Sequence, residues 1–208
     1  MFEVREKPQM VENALLVGVY LDKAEAQEAE SLLEELRDLV ETLNIGIAAT
    51  RLIKVRERYP SHLMGKGKMA EVIDEAGQLD CDCIIFDNEL SPRQQRNWET
   101  EANLLVIDRQ EVILDIFAMR AQTKEARLQV QLARMQYALP RMARMWGHLD
   151  RQGGGSGGGK GGAGAARGEG EKQIEIDRRL ANKRIEKLKA ELATVRKQRA
   201  TQRKDRMR

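Results

Sequence analysis

Aromatic residues are scarce in this 208-residue chain: three Phe, three Tyr and two Trp. Its core must therefore be built mainly from aliphatic side chains. Cysteine is scarcer still. Cys81 and Cys83 form a CxC with no second cluster, so a structural zinc site is not expected and a reduced pair at a strand start is. The two histidines, His62 and His148, stand apart from any nucleophile-and-carboxylate set. No apolar run approaches the roughly 18 residues that cross a bilayer. The opening MFEVREKPQM lacks the apolar stretch of a signal peptide. These absences predict a cytoplasmic protein with no metal centre and no autonomous catalytic centre.

Charge is abundant and unevenly placed. Residues 1–118 carry 13 Lys and Arg against 24 Asp and Glu, a net of −11. Residues 119–208 carry 23 against 9, a net of +14. Such asymmetry points the second half toward an anionic partner: RNA, DNA or an anionic membrane surface.

The first half alternates short apolar runs with amphipathic stretches. NALLVGVY (13–20) reads as a buried strand. Residues 24–43 place Leu32, Leu33, Leu36, Leu39, Val40 and Leu43 at three-to-four spacing, a helix with an acidic outer face, and Asp22 stands where a cap belongs. A β-branched second strand spans 45–55, and 56–68 reads as a loop. A short helix follows from Met69 to Leu79. CIIF (83–86) is a third strand, with Asp87, Asn88 and Glu89 just past its end. Ser91-Pro92 opens a helix by cap and first-turn proline, and LLVI (104–107) is a fourth strand. Continuous apolar strands separated by helices predict an α/β fold with a four-stranded, mainly parallel sheet covered on both faces. Ligands of such sheets gather beyond the strands' carboxyl ends, here the loops after Val55 and Phe86.

From Glu111 the pattern turns helical. Leu128, Leu132, Met135, Leu139, Met142, Trp146 and Leu149 keep 4-3 spacing, with Pro140 expected to kink the helix. Ala181, Ile185, Leu188, Leu192 and Val195 repeat that spacing. Two such seams bury each other as an antiparallel helical hairpin, which places Leu128 near Val195. The expected division is 1–112 for the α/β subdomain and 113–208 for the hairpin. Between the seams lies RQGGGSGGGKGGAGAARGEG (151–170), holding 11 of the chain's 17 glycines. It reads as a flexible tip loop, because it cannot bury enough surface to offset its ordering entropy.

Two glycine motifs bear on phosphate binding. Gly154 to Lys160 matches G-x-x-x-x-G-K, but Gly161 stands where a P-loop needs Ser or Thr and no strand precedes it, so a nucleotide site is rejected there. Gly65, Lys66, Gly67 and Lys68 follow a strand and precede a helix, where amides and dipole favour an anion. The basic residues give the strongest signal. Arg120, Lys124, Arg127, Arg134, Arg141 and Arg144 lie outside the first seam. Arg178, Arg179, Lys183, Arg184, Lys187 and Lys189 lie outside the second. They suit phosphate contacts that give affinity without base readout.

Three stretches together resemble the N-terminal region of HflX-type GTPases: IIFDNELSPRQQRNWE, DRQEVILDIFAMRAQTKEARLQVQLARMQYALPRM and RGEGEKQIEIDRR. The likeness runs from about Gly18 to Arg208. It implies binding to large-subunit ribosomal RNA near the peptidyl transferase centre and the splitting of ribosomes into subunits; a monomer is expected. It also implies a C-terminal G domain that holds GTP and Mg2+, with no cofactor in this chain itself except, at GKGK, ATP. The positions carried over from the family pattern are Gly153, Gly154, Gly155, Arg167, Gly168, Gly170, Glu171, Asp177, Arg178 and Arg179, with Lys160 added as the loop's own cation. Glu169 stands where the family usually has proline. Two other readings remain open: an ATP-binding α/β domain with RNA-remodelling activity, and a dimerising coiled coil.

Overall fold

The computed structural model describes residues 11–142 and 165–206. The chain divides into two compact units, Met1–Ile116 and Phe117–Arg208.

In the first unit, β1 (Asn13–Tyr20), β2 (Gly46–Lys54), β3 (Cys83–Phe86) and β4 (Leu105–Asp108) form one parallel sheet in the order β2-β1-β3-β4. The helices α1 (Lys23–Thr42), α2 (Lys66–Gln78), α3 (Pro92–Ala102) and the start of α4 (Arg109–Arg120) connect and cover it. The two-residue period of the strands sorts the apolar side chains onto two faces. Leu15, Val17, Val19, Ile84, Phe86 and Val106 meet Met69, Val72 and Ala76 of α2 and Trp98 of α3. Ala14, Leu16, Cys83, Ile85 and Ile107 meet Leu33, Leu36 and Val40 of α1 and Val112 and Ile116 of α4. Phe86 and Trp98 pack with ring centroids 4.8 Å apart, giving the aliphatic core its aromatic pair. Gly18 lets α1 come close, since a Cβ there would lie 3.2 Å from both Leu33 Cδ2 and Leu52 Cδ1.

Local chemistry sets the boundaries. The Asp22 carboxylate accepts from Ala24 N and Glu25 N and starts α1. Ser91 and Gln94 form a reciprocal capping box around Pro92 and start α3. Asn44 and Asn103 turn the chain out of α1 and α3 in the left-handed region, which asparagine tolerates well. Cys83 is fully buried and Cys81 nearly so; burial raises both thiol pKa values, Cys83's well above the usual range.

Two expectations need correction here. The helix expected from Met69 begins at Lys66, so Lys66, Gly67 and Lys68 are its first turn and Gly65 its cap position. The first amides of a helix need no intrahelical partner, so a glycine there costs little, and Met69 N closes the turn on Gly65 O at 3.0 Å. The helical pattern from Glu111 is also not continuous. It breaks after Arg120, and Thr123 restarts it by accepting from Ala126 N and Arg127 N.

In the second unit, α5 (Lys124–Met142) packs on α6 (Ala165–Arg206). Leu128, Leu188, Leu192 and Val195 form the buried seam, with Leu132 and Met135 half-buried against it. Leu128 and Val195 thus share one cluster, as the matching of the seams expects. Glu125, near the start of α5, pairs with Arg196 and Arg199 of α6. At about 1.5 Å per residue the 42 residues of α6 extend about 63 Å. The backbone of residues 165–170 is already helical, so this end of the expected tip loop belongs to α6. Ala165 and Ala166 are strong helix formers, and each glycine that follows costs only about 1 kcal/mol against them. Residues 151–164 lie outside the described residues.

Truncating the centre of the sheet tests the two-faced core. Leu16→Ala is expected to lower stability by about 3 kcal/mol, read as a lower urea midpoint with an unchanged slope in circular dichroism. A midpoint at the parent value contradicts this packing.

Candidate functional site

The order β2-β1-β3-β4 puts the change of winding direction between β1 and β3, and a ligand crevice is expected at their carboxyl ends. The chain's own side chains occupy that position. Asn88 Oδ1 accepts from Val19 N at 2.7 Å and Asn88 Nδ2 donates to Val19 O at 3.1 Å, so one side-chain amide mimics a further ladder residue. Asp87 accepts from Arg109 Nη1 at 2.8 Å, and the same guanidinium pairs with Glu35 at 2.6 Å and donates to Leu32 O at 3.0 Å. Burial opposes the Arg109 charge, yet the hydrogen bonds to Asp87 and Glu35 outweigh it and raise its pKa. Asp108, fully buried, accepts from Leu90 N and from Glu111 N, capping α4 and tying down the loop after β3. Asp87 thus has a structural partner, and Glu89 is exposed. Among the described residues no group of three or more His, Cys, Asp or Glu is placed to hold a metal.

The loop after Val55 is held from α3. Gln94 Nε2 donates to Tyr59 O at 3.1 Å, Asn97 Nδ2 to Ser61 O at 2.8 Å and Trp98 Nε1 to His62 O at 2.8 Å. Buried Leu63 takes φ +68° to complete the turn. Beyond it stand Gly65, Lys66, Gly67 and Lys68. Lys66 and Lys68 are exposed on the first turn of α2, and Lys68 pairs with Glu71 at 2.8 Å. No side chain caps this helix start. A groove of about 330 Å³ runs between β2 and α2, lined by Arg51, Leu52, Ile53, Lys54, Lys68, Glu71, Val72 and Glu75.

In the second unit the cations stand outside the seam. Lys124, Arg127 and Arg134 of α5 are exposed, as are Arg178, Arg179, Lys183, Arg184, Lys187 and Lys189 of α6. Arg179 pairs with Glu175 and Lys189 with Glu186, each within its own helix. Arg141 folds back on its own helix: its guanidinium carbon lies 3.4 Å over the Tyr137 ring and Nη1 donates to Tyr137 O. Arg167, Gly168 and Gly170 fall within α6 rather than in a loop. Gly153, Gly154, Gly155, Lys160 and Arg144 lie outside the described residues. Sequence periodicity overlooked Ile176 and Leu180, which are 48% and 41% exposed. They sit one helical turn apart off the seam and share an outer face with Lys183 and Lys187. The i, i+4 spacing was their signal.

Hydrogen bonds, first from Arg199 and then from Arg196, hold the Glu125 carboxyl below its usual range. The folded chain then binds this proton less readily than the unfolded chain. The pair's contribution is complete above about 4.5 and fades as pH falls through the lowered folded value. Glu125→Gln is expected to lower the thermal midpoint at pH 7 and to differ little from the parent at pH 3. Equal differences at both pH values contradict the pairing.

Comparison with known proteins adds three findings. Residues 30–118 match the family described as GTP-binding GTPase N-terminal, and residues 120–206 match the GTP-binding GTPase Middle Region. The chain is 66% identical to GTPase HflX of Akkermansia muciniphila, covering 100% of this chain and 48% of that protein. It is 43% identical to GTPase HflX of Chlamydia pneumoniae (98% and 42%) and 39% identical to that of Escherichia coli (94% and 43%). The chain spans about half the length of these curated relatives. The crystal structure of SsGBP in complex with GDP shares the fold, with TM-score 0.61 and 21% identity over 91% of this chain and 46% of that one.

Proposed function

The chain belongs to the HflX family of GTPases, carrying its N-terminal and middle regions, and we propose that it is the ribosome-binding part of such a protein. In this reading it contacts large-subunit ribosomal RNA near the peptidyl transferase centre and helps separate the subunits. Residues 113–208 form a long antiparallel hairpin whose glycine-rich tip, around Gly153, Gly154, Gly155 and Lys160, reaches into RNA. Residues 1–112 form the α/β subdomain. GTP and Mg2+ are held by the C-terminal G domain of the parent protein, which acts in the cytoplasm as a monomer.

The observation that carries this reading is the exposed ring of cations around an aliphatic seam. Six Lys and Arg between Arg178 and Lys189 are exposed on α6, and a phosphate backbone is the polymer that such a surface suits. The antiparallel hairpin is supported by the Glu125 contacts, which join the start of α5 to the far end of α6. Low side-chain bulk at the tip lets backbone amides approach RNA closely.

Co-sedimentation of the 208-residue chain with purified large and small subunits across a salt series tests it. Selective binding to the large subunit that weakens with salt is expected. Arg178→Ala with Arg179→Ala is expected to weaken binding severalfold and to reduce the log–log salt slope by about 0.7 to 0.9 per lost phosphate contact. Deleting Gly153 to Gly164 is expected to weaken it as well. Equal pelleting with both subunits contradicts the proposal.

A second reading is favoured by the uncapped start of α2. In this reading Gly65, Lys66, Gly67 and Lys68 receive the phosphates of ATP, because the first amides of a helix favour an anion. Equilibrium titration with labelled ATP is then expected to saturate, and Lys66→Ala to abolish saturation; a linear titration removes this reading.

A further inference from the structure

Residues 51–68 hold six of the thirteen Lys and Arg found in residues 1–118, and one acidic residue, Glu57. In a region of net −11 this is a local reversal of sign. The fold gathers these cations at one end of the sheet: the close of β2, the loop after it and the first turn of α2. Three of the six are committed, Arg51 to Glu75, Arg58 to Glu25 and Lys68 to Glu71. The other three, Lys54, Arg56 and Lys66, are exposed and carry no ion pair among the described residues. Tyr59 stands with them, 41% exposed. Its ring leans on the start of α2, since a Cβ at Gly65 would lie 3.9 Å from Tyr59 Cε2.

The support of this loop is rigid. Gln94, Asn97 and Trp98 of α3 hold the carbonyls of Tyr59, Ser61 and His62. Met64 and Leu63 anchor its end in the core. A surface fixed before binding loses little conformational freedom on binding. Unpaired cations spread along a rigid rim suit a chain of phosphates better than a single compact anion. An exposed aromatic ring among them suits a base lifted from its stack.

We infer that this rim is a second RNA-contact surface, separate in sequence from the helical arm, with Lys54, Arg56 and Lys66 on backbone phosphates and Tyr59 under an unpaired base. The inference rests on the ribosome-binding reading above. It concerns the acidic unit, which net charge alone would keep away from RNA.

The test uses the full 208-residue chain, purified large subunits and a salt series. Arg56→Glu with Lys66→Glu is expected to weaken binding about tenfold or more and to lower the salt slope by about 1.4 to 1.8 units, the loss of two phosphate contacts. Tyr59→Ala is expected to weaken binding about fivefold or more with the slope unchanged, as loss of stacking does. All three positions are exposed, and parental unfolding midpoints verify that the variants fold. Parental affinity and slope in the charge-reversed variant overturn the rim while leaving the arm intact. No large-subunit binding by the parent chain overturns the ribosome reading and the rim with it. Release of the parent chain from subunits by ATP, abolished in the charge-reversed variant, assigns these cations to a nucleotide and also overturns the rim.

Discussion

Everything in the first unit depends on β1 being enclosed on four sides. It pairs with β2 on one edge and β3 on the other, and both of its faces are buried. Water cannot serve the backbone groups of its buried residues, so each of those needs a protein partner. The ladders serve the middle, and side chains serve the ends. Asp82 accepts from Glu12 N and Asn13 N at the entry, and Asn88 pairs with both backbone groups of Val19 near the exit. The position where such folds usually receive a ligand is thereby filled. The free surface is displaced sideways, to the loop after β2 and the start of α2.

The two units keep their structures by different means. The first relies on area: two aliphatic layers with one aromatic pair between sheet and helix. The second has a narrow seam and much exposed charge. Among the described residues its buried apolar side chains are Leu128, Ala181, Ile185, Leu188, Leu192 and Val195. Ion pairs such as Arg179–Glu175 are exposed and contribute little, on the order of 0.5 kcal/mol each. The exposed charges between Arg178 and Lys189 thus add little to stability, whereas Arg196 and Arg199 tie α6 to Glu125 of α5.

Much of this was legible in the residues. Asp22, Ser91 and Pro92 announce their helices because capping is decided within three or four residues. The seam from Leu128 to Val195 is legible because heptad spacing is a repeated signal. The alternating runs gave the parallel sheet. What escaped is polar and distant. Asn88 meets Val19 across 69 positions and Arg109 reaches Leu32 across 77; no period encodes such contacts. GKGK read as loop because glycine usually breaks a helix, a penalty that is small in a first turn. Residues 165–170 read as loop for the same reason, although Ala165 and Ala166 lead into a helix of 42 residues.

The enclosed strand also fixes an order of assembly during synthesis. β1 leaves the ribosome before β2, β3 and β4, and its second neighbour, β3, lies at residues 83–86. Until Phe86 has emerged, Leu15, Leu16 and Val17 have one paired edge and incompletely covered faces. Domains generally fold as units on emergence, and exposed apolar strands invite misassociation meanwhile. The interval is set by the crossover through β2 and α2, and lengthening that crossover would prolong it. β1 is thus made before the strands that secure it, and a nascent chain stopped near residue 60 is the form most in need of a chaperone.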